Sequence, residues 1–326
     1  MINWGFIGCG NVTEKKSGPA FRKVDGSDVV AVMRRDAESA KDYALRHHIA
    51  KWYSDADALI NDSAVNAVYV ATPPGSHAEY AVAAMKAGKP VYVEKPMAAS
   101  FEECVIMAEA AKETGVPCFV AYYRRTLPYF LRIRQLLESG EIGEVREVKI
   151  RFIIPPYPSD LSRETLPWRV KKEVAGAGYF YDLASHQLDY LDFVFGEITE
   201  VGGTAKNVAG LYDVEDTVDG EWLHKMGVRG SGHWEFAAPV SERTDEVEII
   251  GSKGSIRFST FHFTPIVLNR ASGEKIYTEE NPENIQFYLI QSIVNYLNGN
   301  GPYPVSDFRS AMRTNWVMDK MLGRIP

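Results

Sequence analysis

The sequence is poor in cysteine and has no long apolar run. Its three cysteines, Cys9, Cys104 and Cys118, lack C-x-x-C spacing, so they predict neither a disulfide framework nor a zinc site, and no metal site is expected. No stretch approaches the roughly 20 apolar residues that a transmembrane helix needs. The N-terminus also lacks the basic and apolar regions of a secretory signal. Together these absences predict a protein of a reducing compartment, the cytoplasm.

Basic residues are outnumbered as well. The chain carries 36 Lys and Arg against 43 Asp and Glu, for a net charge of −7, and no block of basic residues interrupts it. Nucleic acids and anionic membranes require a positive surface, so neither is a predicted partner. What the chain does have is 45% hydrophobic residues in a length of 326, which is typical of a globular protein with two domains.

Residues 1–121 alternate short apolar runs with helical stretches. The runs are rich in Val, Ile and aromatic residues, as in parallel strands buried on both faces. They lie at 3–8, 28–33, 67–72, 90–94 and 118–123, and the helical stretches lie at 37–48, 77–88 and 100–115. The last two helical stretches end at glycines typical of helix C-caps. The pattern predicts a Rossmann-type doubly wound α/β domain over residues 1–121, with a parallel sheet.

From residue 122 the pattern changes. After a helix at about 127–139, the segments 145–154, 218–236 and 245–260 alternate polar and apolar residues and contain Gly-rich turns, which is typical of antiparallel strands with one solvated face. Two helical stretches follow, at 284–298 and 306–322. We predict that residues 122–326 form an α+β domain with a large, mostly antiparallel open-faced sheet. The active site is expected between the two domains.

The first chemical motif, GFIGCGNVTEKK, follows the first predicted strand. Gly8 and Gly10 allow a tight turn and a close approach of the backbone to a pyrophosphate, whose charge meets N–H groups at the start of the next helix. Thr13 occupies the position of the third glycine of this fingerprint. Because a strand precedes the motif, we interpret it as a dinucleotide-binding loop rather than as two turn glycines. The predicted cofactor-binding residues here are Gly8, Cys9, Gly10, Asn11 and Val12.

The end of the second strand, VVAVMRRDAESA, bears on which dinucleotide binds. An NAD-binding domain normally places a carboxylate there to accept hydrogen bonds from the adenosine ribose. This chain has Arg34 and Arg35, which are suited to bind the 2′-phosphate of NADP. We therefore predict NADP(H) as the preferred cofactor, with NAD(H) possible. In the alternative interpretation both arginines are solvated and Asp36 binds the ribose.

Two further motifs stand at strand ends, where the loops of a parallel sheet line the cofactor crevice. ATPPGSH supplies Thr72, Pro73 and His77 as cofactor contacts, although His77 is alternatively an exposed residue at a helix start. VYVEKP supplies Glu94 and Lys95. Pro96 restricts the backbone of the residue before it and is compatible with a cis peptide bond. The alternative is a surface ion pair of Glu94 and Lys95 followed by a turn.

The second half of the chain offers a proton-transfer pair in AGAGYFYDLASHQLDY. Asp182 and His186 are four residues apart on a predicted helix, so their side chains share one face. A carboxylate can orient an imidazole and stabilise its charged form, which leaves the histidine to give or take a proton near neutral pH. In the alternative, Asp182 is a helix N-cap and His186 is a packed residue.

The order of these motifs, G-x-G, A-T-P-P-x-x-H, E-K-P and then G-x-x-x-D-x-x-x-H, resembles the glucose-fructose oxidoreductase and inositol dehydrogenase family (Gfo/Idh/MocA) along the whole chain. The resemblance implies that Lys95, Asp182 and His186 form the catalytic set. It also implies that Trp168 and Arg169, in PWRV, are the Trp-Arg pair near the nicotinamide. Tyr123 stands where many members have Asn.

The resemblance further implies an enzyme that transfers a hydride between a nicotinamide cofactor and a carbon bearing a hydroxyl or carbonyl on a sugar, cyclitol or related polyol. Family members commonly associate through the open sheet, so a homodimer or homotetramer is expected. The aromatic residues that could flank a sugar ring are Tyr122, Tyr123, Tyr157 and Tyr179, besides Trp168. Two alternatives remain: a glycosidase that recycles bound NAD, and a nonenzymatic sensor or scaffold that retains the cofactor fold.

Overall fold

The computed structural model describes residues 1–326, which form two compact units. The first unit comprises Met1–Tyr123 and Pro282–Met312, and the second comprises Arg124–Asn281 and Arg313–Pro326. Both units are therefore discontinuous in sequence, since the chain returns to the first unit after the large sheet of the second. No helix is both long enough and apolar enough to cross a membrane.

The first unit contains a six-stranded parallel sheet of order β3-β2-β1-β4-β5-β6. Its strands are β1 Ile2–Ile7, β2 Ser27–Met33, β3 Lys51–Tyr53, β4 Ala67–Val70, β5 Val91–Val93 and β6 Cys118–Val120. The residues of β4, β5 and β6 are all buried, which explains their apolar runs without polar alternation. The predicted doubly wound fold is confirmed. Its strand order switches direction between β1 and β4, and ligands of such sheets bind outside the carboxyl ends of the strands at this point.

Ten α-helices accompany the sheets. They are α1 Gly18–Lys23, α2 Ala37–Arg46, α3 Ala56–Ile60, α4 His77–Lys86, α5 Phe101–Thr114, α6 Pro128–Glu138, α7 Lys172–Ala175, α8 Ser185–Phe195, α9 Phe287–Leu297 and α10 Phe308–Met321. Their ends follow local capping rules. The Ser100 hydroxyl accepts the N–H of Glu103 at 3.2 Å to begin α5, and Gly115 ends this helix at φ 68°.

The second unit contains an eight-stranded sheet of order β14-β13-β12-β11-β7-β10-β9-β8. Its strands are β7 Val145–Ile153, β8 Ile198–Lys206, β9 Thr217–His224, β10 Arg229–Glu235, β11 Thr244–Gly251, β12 Gly254–Phe258, β13 Ile266–Arg270 and β14 Gly273–Tyr277. Only β7 and β10 pair in parallel, so the predicted, mostly antiparallel sheet is confirmed.

One face of this sheet is buried and the other is open. On β9, Val218 and Trp222 are buried whereas Asp219 and Glu221 between them are exposed. Trp234 on the buried face of β10 donates its indole N–H to the side chain of Gln187 on α8 at 2.7 Å. The sheet thereby fixes α8, the helix on which His186 lies.

Candidate active site

The glycine loop lies between β1 and α1 in the first unit. Gly8 has φ +91°, and a Cβ atom there would lie 2.8 Å from the Thr72 methyl and 2.9 Å from the Ala71 backbone. Only glycine fits such a position. Gly10 is different, because a Cβ atom there would meet no atom within 4 Å. The space over Gly10 is open, as a backbone that receives a phosphate requires.

Residues Val12–Lys16 form a π-helical turn before α1. Ser17 N–H donates to the Val12 carbonyl at 3.0 Å, which closes this i to i+5 turn. Thr13, at the third position of the glycine motif, is fully buried and donates its hydroxyl to the Gly10 carbonyl at 2.9 Å. Its own carbonyl accepts the Tyr43 hydroxyl at 3.0 Å. Thr13 therefore connects the glycine loop to Tyr43 on α2. Asn11 is exposed and Val12 partly so.

Arg34 and Arg35 follow β2 and are both exposed. Burial raises the pKa of the Cys9 thiol to about 11, and the nearby positive charge of Arg34 opposes this shift. Arg34 thus lies close to the glycine loop. Asp36 instead caps α2, because its carboxylate accepts the N–H of Ser39 at 2.8 Å. Hydrogen bonding to Ser39 is the main cause of the lowered pKa of Asp36.

His77 at the start of α4 is fully buried rather than exposed. Its Nε2 lies 2.8 Å from the carbonyl oxygen of Thr72, and its Nδ1 lies 3.1 Å from that of Pro96. Burial lowers the pKa of His77. The imidazole joins the loop after β4 to the loop after β5, so it fixes two stretches of the rim at once. Pro73 follows Thr72 in the loop after β4 and is half-buried.

Glu94 directly follows β5, and the peptide bond between Lys95 and Pro96 is cis. Glu94 is buried, with 7% of its surface exposed, so it is no surface ion-pair residue. Its Oε1 accepts the Tyr69 hydroxyl at 2.5 Å and the Gln286 amide at 2.7 Å. Lys95 is half-buried at the carboxyl end of the strand.

Asp182 and His186 lie in the second unit, where a π-helical turn, Phe180–Ala184, runs directly into α8. π-Helical turns are rare and are often found at functional sites. His186 is buried, with 3% of its surface exposed. Asp182 is half-buried and accepts the Nε of Arg169 at 2.9 Å. The guanidinium of Arg169 also stacks on Trp168, 4.5 Å from the ring centre. The structure therefore brings Trp168, Arg169 and Asp182 together.

The four tyrosines predicted to contact substrate differ in exposure. Tyr122 and Tyr123 are buried in the first unit at 1% and 8% exposure. In the second unit, Tyr157 is 46% exposed and packs against Tyr179, with ring centres 5.3 Å apart. Tyr179 is buried and donates its hydroxyl to Asp160 at 2.8 Å. Tyr157 thus offers the most open aromatic surface of the four.

Sequence reasoning missed the residues that surround Glu94. Tyr69 and Tyr92 stack with their ring centres 5.2 Å apart, and Tyr92 donates its hydroxyl to the Gln286 side chain at 2.7 Å. A partial signal was present, since a phenol in a buried apolar strand needs a hydrogen-bond partner. Nothing local pointed to Gln286, because its partners are nearly 200 residues away in sequence.

Two family models match most of the chain. Residues 2–122 match the oxidoreductase family with an NAD-binding Rossmann fold, and residues 130–257 match the GFO/IDH/MocA C-terminal domain. Apart from Tyr123, the candidate site residues of each unit lie within these matches.

Known proteins resemble the chain over most of its length. It is 42% identical over 324 residues to Oxidoreductase P35 of Formosa agariphila, covering 99% of this chain and 98% of that protein. It is 30% identical to the 1,5-anhydro-D-fructose reductase of Ensifer adhaerens, over 78% of this chain and 75% of the relative. A solved levoglucosan dehydrogenase, in complex with NADH and levoglucosan, shares the fold with a TM-score of 0.85 at 23% identity, covering 98% of this chain and 96% of that chain.

Proposed function

Because the chain belongs to the Gfo/Idh/MocA family of NAD-binding oxidoreductases, we propose that it transfers a hydride between NADP(H) and a hydroxyl or carbonyl carbon of a sugar, cyclitol or related polyol. As a member of this family, it is an NAD(P)-dependent oxidoreductase of CH–OH groups. The relative that acts on 1,5-anhydro-D-fructose supports a sugar-like substrate.

The proposed preference for NADP(H) rests on the residues that follow β2. Asp36, the only carboxylate of this turn, is engaged as the cap of α2. That leaves the adenosine end of the crevice to Arg34 and Arg35, whose side chains are exposed. A guanidinium forms charge-assisted hydrogen bonds to a phosphate but accepts none from a ribose hydroxyl. This turn therefore favours a cofactor with a 2′-phosphate.

The first unit has the features that a nicotinamide dinucleotide requires. The open space over Gly10 and the N–H groups of the following turn suit the pyrophosphate. Thr72, Pro73, His77 and Glu94 line the carboxyl ends of neighbouring strands, on the same rim as Gly8, Cys9, Asn11 and Val12. When bound, the nicotinamide accepts or supplies the hydride.

The residues of the chain supply orientation and proton transfer. Lys95 hydrogen-bonds the reacting oxygen and stabilises the negative charge that develops on it. His186 takes the hydroxyl proton during oxidation and returns it during reduction. Asp182, held by Arg169 at 2.9 Å, orients the imidazole. Trp168, stacked on Arg169, lies beside the nicotinamide in this proposal, and the exposed ring of Tyr157 contacts the substrate.

The reaction is tested by a screen of sugars, cyclitols and polyols with NADP and with NAD, following the absorbance of the reduced nicotinamide. The reverse direction uses the corresponding ketones with NADPH. We expect at least one substrate to change the absorbance, and the Lys95→Ala variant to abolish that change. A wild-type protein that binds the cofactor but turns over no member of these classes would contradict the proposed substrate class.

The cofactor preference is tested by kcat/KM for NADP and NAD in the wild type and in Arg34→Asp. Charge-assisted hydrogen bonds contribute about 1.5 to 3 kcal/mol each, so the wild type should prefer NADP by about ten-fold or more. Arg34→Asp should shift this preference toward NAD. Arg146→Asp, at an exposed position on β7, is the matched control and should leave the preference unchanged. Equal use of both cofactors by the wild type would contradict the proposal.

A further inference from the structure

Gln286 lies in the segment that returns to the first unit after the second sheet, outside both family matches. It occupies the N-cap position of α9, yet its side chain makes no capping hydrogen bond to its own helix. The amide is only 2% exposed and points to the end of β5 instead. Ser, Thr, Asp and Asn are the side chains that usually satisfy a free N–H from this position, so the Gln286 amide is available to bond residues outside its own helix.

The hydrogen bonds of this amide have a defined direction. Glu94 carries a carboxylate, which only accepts, so Gln286 must present Nε2 to it at 2.7 Å. The Gln286 Oε1 then accepts the hydroxyl of Tyr92 at 2.7 Å. Burial raises the pKa of Tyr92 and of Tyr69 well above the usual value, so both phenols stay protonated as donors. The hydrogen bonds from Tyr92 to Gln286, from Gln286 to Glu94 and from Tyr69 to Glu94 thus lead to one oxygen of Glu94, Oε1.

The two carboxylate oxygens of Glu94 consequently differ in the hydrogen bonds that they accept. Oε1 accepts both the Tyr69 hydroxyl at 2.5 Å and the Gln286 amide at 2.7 Å. Oε2 accepts the backbone N–H of Lys95, at a long 3.3 Å. A carboxylate oxygen has room for more than one hydrogen bond. Oε2 is thus the oxygen better placed to accept a hydroxyl donor at the carboxyl end of β5.

The same segment also contacts the other side of the rim. Asn284, two residues before Gln286, is 5% exposed and donates its amide to the Lys15 carbonyl at 3.4 Å. Lys15 belongs to the π-helical turn that follows the glycine loop. The segment Asn284–Gln286 therefore connects the turn after β1 with the end of β5.

We propose that Gln286 is a positioning residue for cofactor binding, which saturates one oxygen of Glu94 and directs the other toward a ribose hydroxyl of the nicotinamide dinucleotide. The inference rests on the proposed function, because it assigns Glu94 to the cofactor rim. It predicts that changes at Gln286 alter cofactor affinity, with kcat at saturating cofactor largely retained.

The test is the Kd for NADPH, measured by the fluorescence of the reduced nicotinamide, together with Tm and kcat. Gln286→Leu removes both hydrogen bonds, and Gln286→Glu keeps the shape but sets a second carboxyl against Glu94. At about pH 7.5 both variants should bind NADPH about ten-fold or more weakly. The matched control is Gln291→Leu on the same helix. The Gln291 amide bonds Asn295 at 2.8 Å, so this variant should bind like the wild type.

A pH series separates positioning from general damage. Two adjoining carboxyl groups bind one proton between them as the pH falls, so Gln286→Glu should regain affinity relative to wild type at about pH 5.5, whereas Gln286→Leu should not. The other titratable groups near Glu94 are Tyr69, Tyr92 and His77, and Lys95 is its neighbour in sequence. All variants keep these groups, so a recovery confined to Gln286→Glu has to come from the carboxyl group that this variant adds.

The outcomes distinguish the inference from the function on which it rests. Wild-type affinity in Gln286→Leu and Gln286→Glu, with NADPH bound by the wild type, would overturn the role of Gln286 and leave the proposed function standing. If Gln286→Leu does not fold, the NADPH affinity of Gln286→Glu across the pH series tests the role of Gln286 on its own. A wild type that binds neither NADPH nor NADH would overturn both.

Discussion

Gly8 and Gly10 differ in what the absence of a side chain allows. Gly8 is required by the fold, because its φ of +91° and its contacts with Thr72 and Ala71 exclude a Cβ atom. The fold does not require glycine at position 10, since a Cβ atom there would contact nothing within 4 Å. We propose that its small size instead admits the cofactor, and the two roles can be separated by experiment.

We expect Gly10→Ala to leave Tm within a few degrees of wild type but to weaken NADPH binding by about ten-fold or more, because the methyl group occupies the space of the pyrophosphate. Titration of the reduced cofactor and thermal unfolding measure the two effects. Gly202→Ala is the matched control, since a Cβ atom there also meets nothing within 4 Å. Unchanged affinity in Gly10→Ala would mean that the loop does not receive the pyrophosphate.

Lys95 and His186 are proposed to act on the reacting oxygen and its proton. Lys95→Ala and His186→Ala should each lower kcat by about two or more orders of magnitude, with little change in the Kd of NADPH. Steady-state kinetics with the substrate from the screen provide the measurement. Lys86→Ala, exposed in the last turn of α4, and His233→Ala, on β10, are controls that should retain wild-type kcat. Near-normal turnover in either test variant would remove that residue from the mechanism.

At the scale of elements, the sequence predicts the strands that have a local pattern of apolar residues. The five apolar runs of the first unit correspond to β1, β2, β4, β5 and β6, and the two Gly-containing segments after residue 217 correspond to the hairpins β9–β10 and β11–β12. Strand β3 was missed, because Lys51–Tyr53 is a short edge strand without an apolar run. Strand β8 was missed because it contains Gly202 and Gly203, and glycine is depleted in strands.

In the candidate site, too, residues with a local sequence signal could be predicted and residues that depend on distant partners could not. Lys95, Arg34 and the glycine loop stand at strand ends, so the alternation of elements predicts their place on the rim. The capping role of Asp36 has a local signal in Ser39, three residues later. Thr13 and Gln286 have none, because their roles depend on Tyr43 in one case and on Glu94 and Tyr92 in the other. Such pairings arise only when distant elements pack.

Helix α8, which carries His186, is anchored by a buried ion pair. Arg125 donates to both carboxylate oxygens of Asp189 at 2.9 and 2.5 Å, and each side chain is 1% exposed. Burial raises the pKa of Asp189 to about 6, and Arg125 opposes this shift. A buried charge that loses its partner is costly.

Asp189→Asn should therefore lower the free energy of unfolding by about 3 to 5 kcal/mol, because the buried guanidinium of Arg125 loses the carboxylate that it bonds through two nitrogens. Urea unfolding at pH 7 provides the measurement. Glu138→Gln is the matched control. It removes the carboxylate of an exposed pair with Arg134 and should cost no more than about 1 kcal/mol. Equal stabilities of the two variants would show that the buried pair does not hold α8 in place.

At the scale of the whole molecule, the open face of the eight-stranded sheet is the surface that bears on assembly. A groove of about 680 Å³ runs across strands β7 to β11 and is bordered by charges of both signs. Lys149 and Arg151 on β7 stand opposite Glu248 and Glu246 on β11, with Asp219 and Glu221 on β9 also facing the groove. A surface that carries both signs can complement a second copy of itself, as a two-fold contact requires.

We therefore expect a homodimer, or a dimer of dimers, in solution, with this face at the contact. Light scattering at micromolar concentration should give a mass of two or four times the 36.5 kDa of one chain. The double variant Lys149→Glu with Arg151→Glu makes the groove uniformly acidic, so like charges repel across the contact and the mass should fall toward one chain. Lys41→Glu with Lys112→Glu, which reverses two charges on the first unit, should leave the mass unchanged. A wild type at 36.5 kDa would contradict the assembly. An oligomer that survives the double variant would move the contact to another surface.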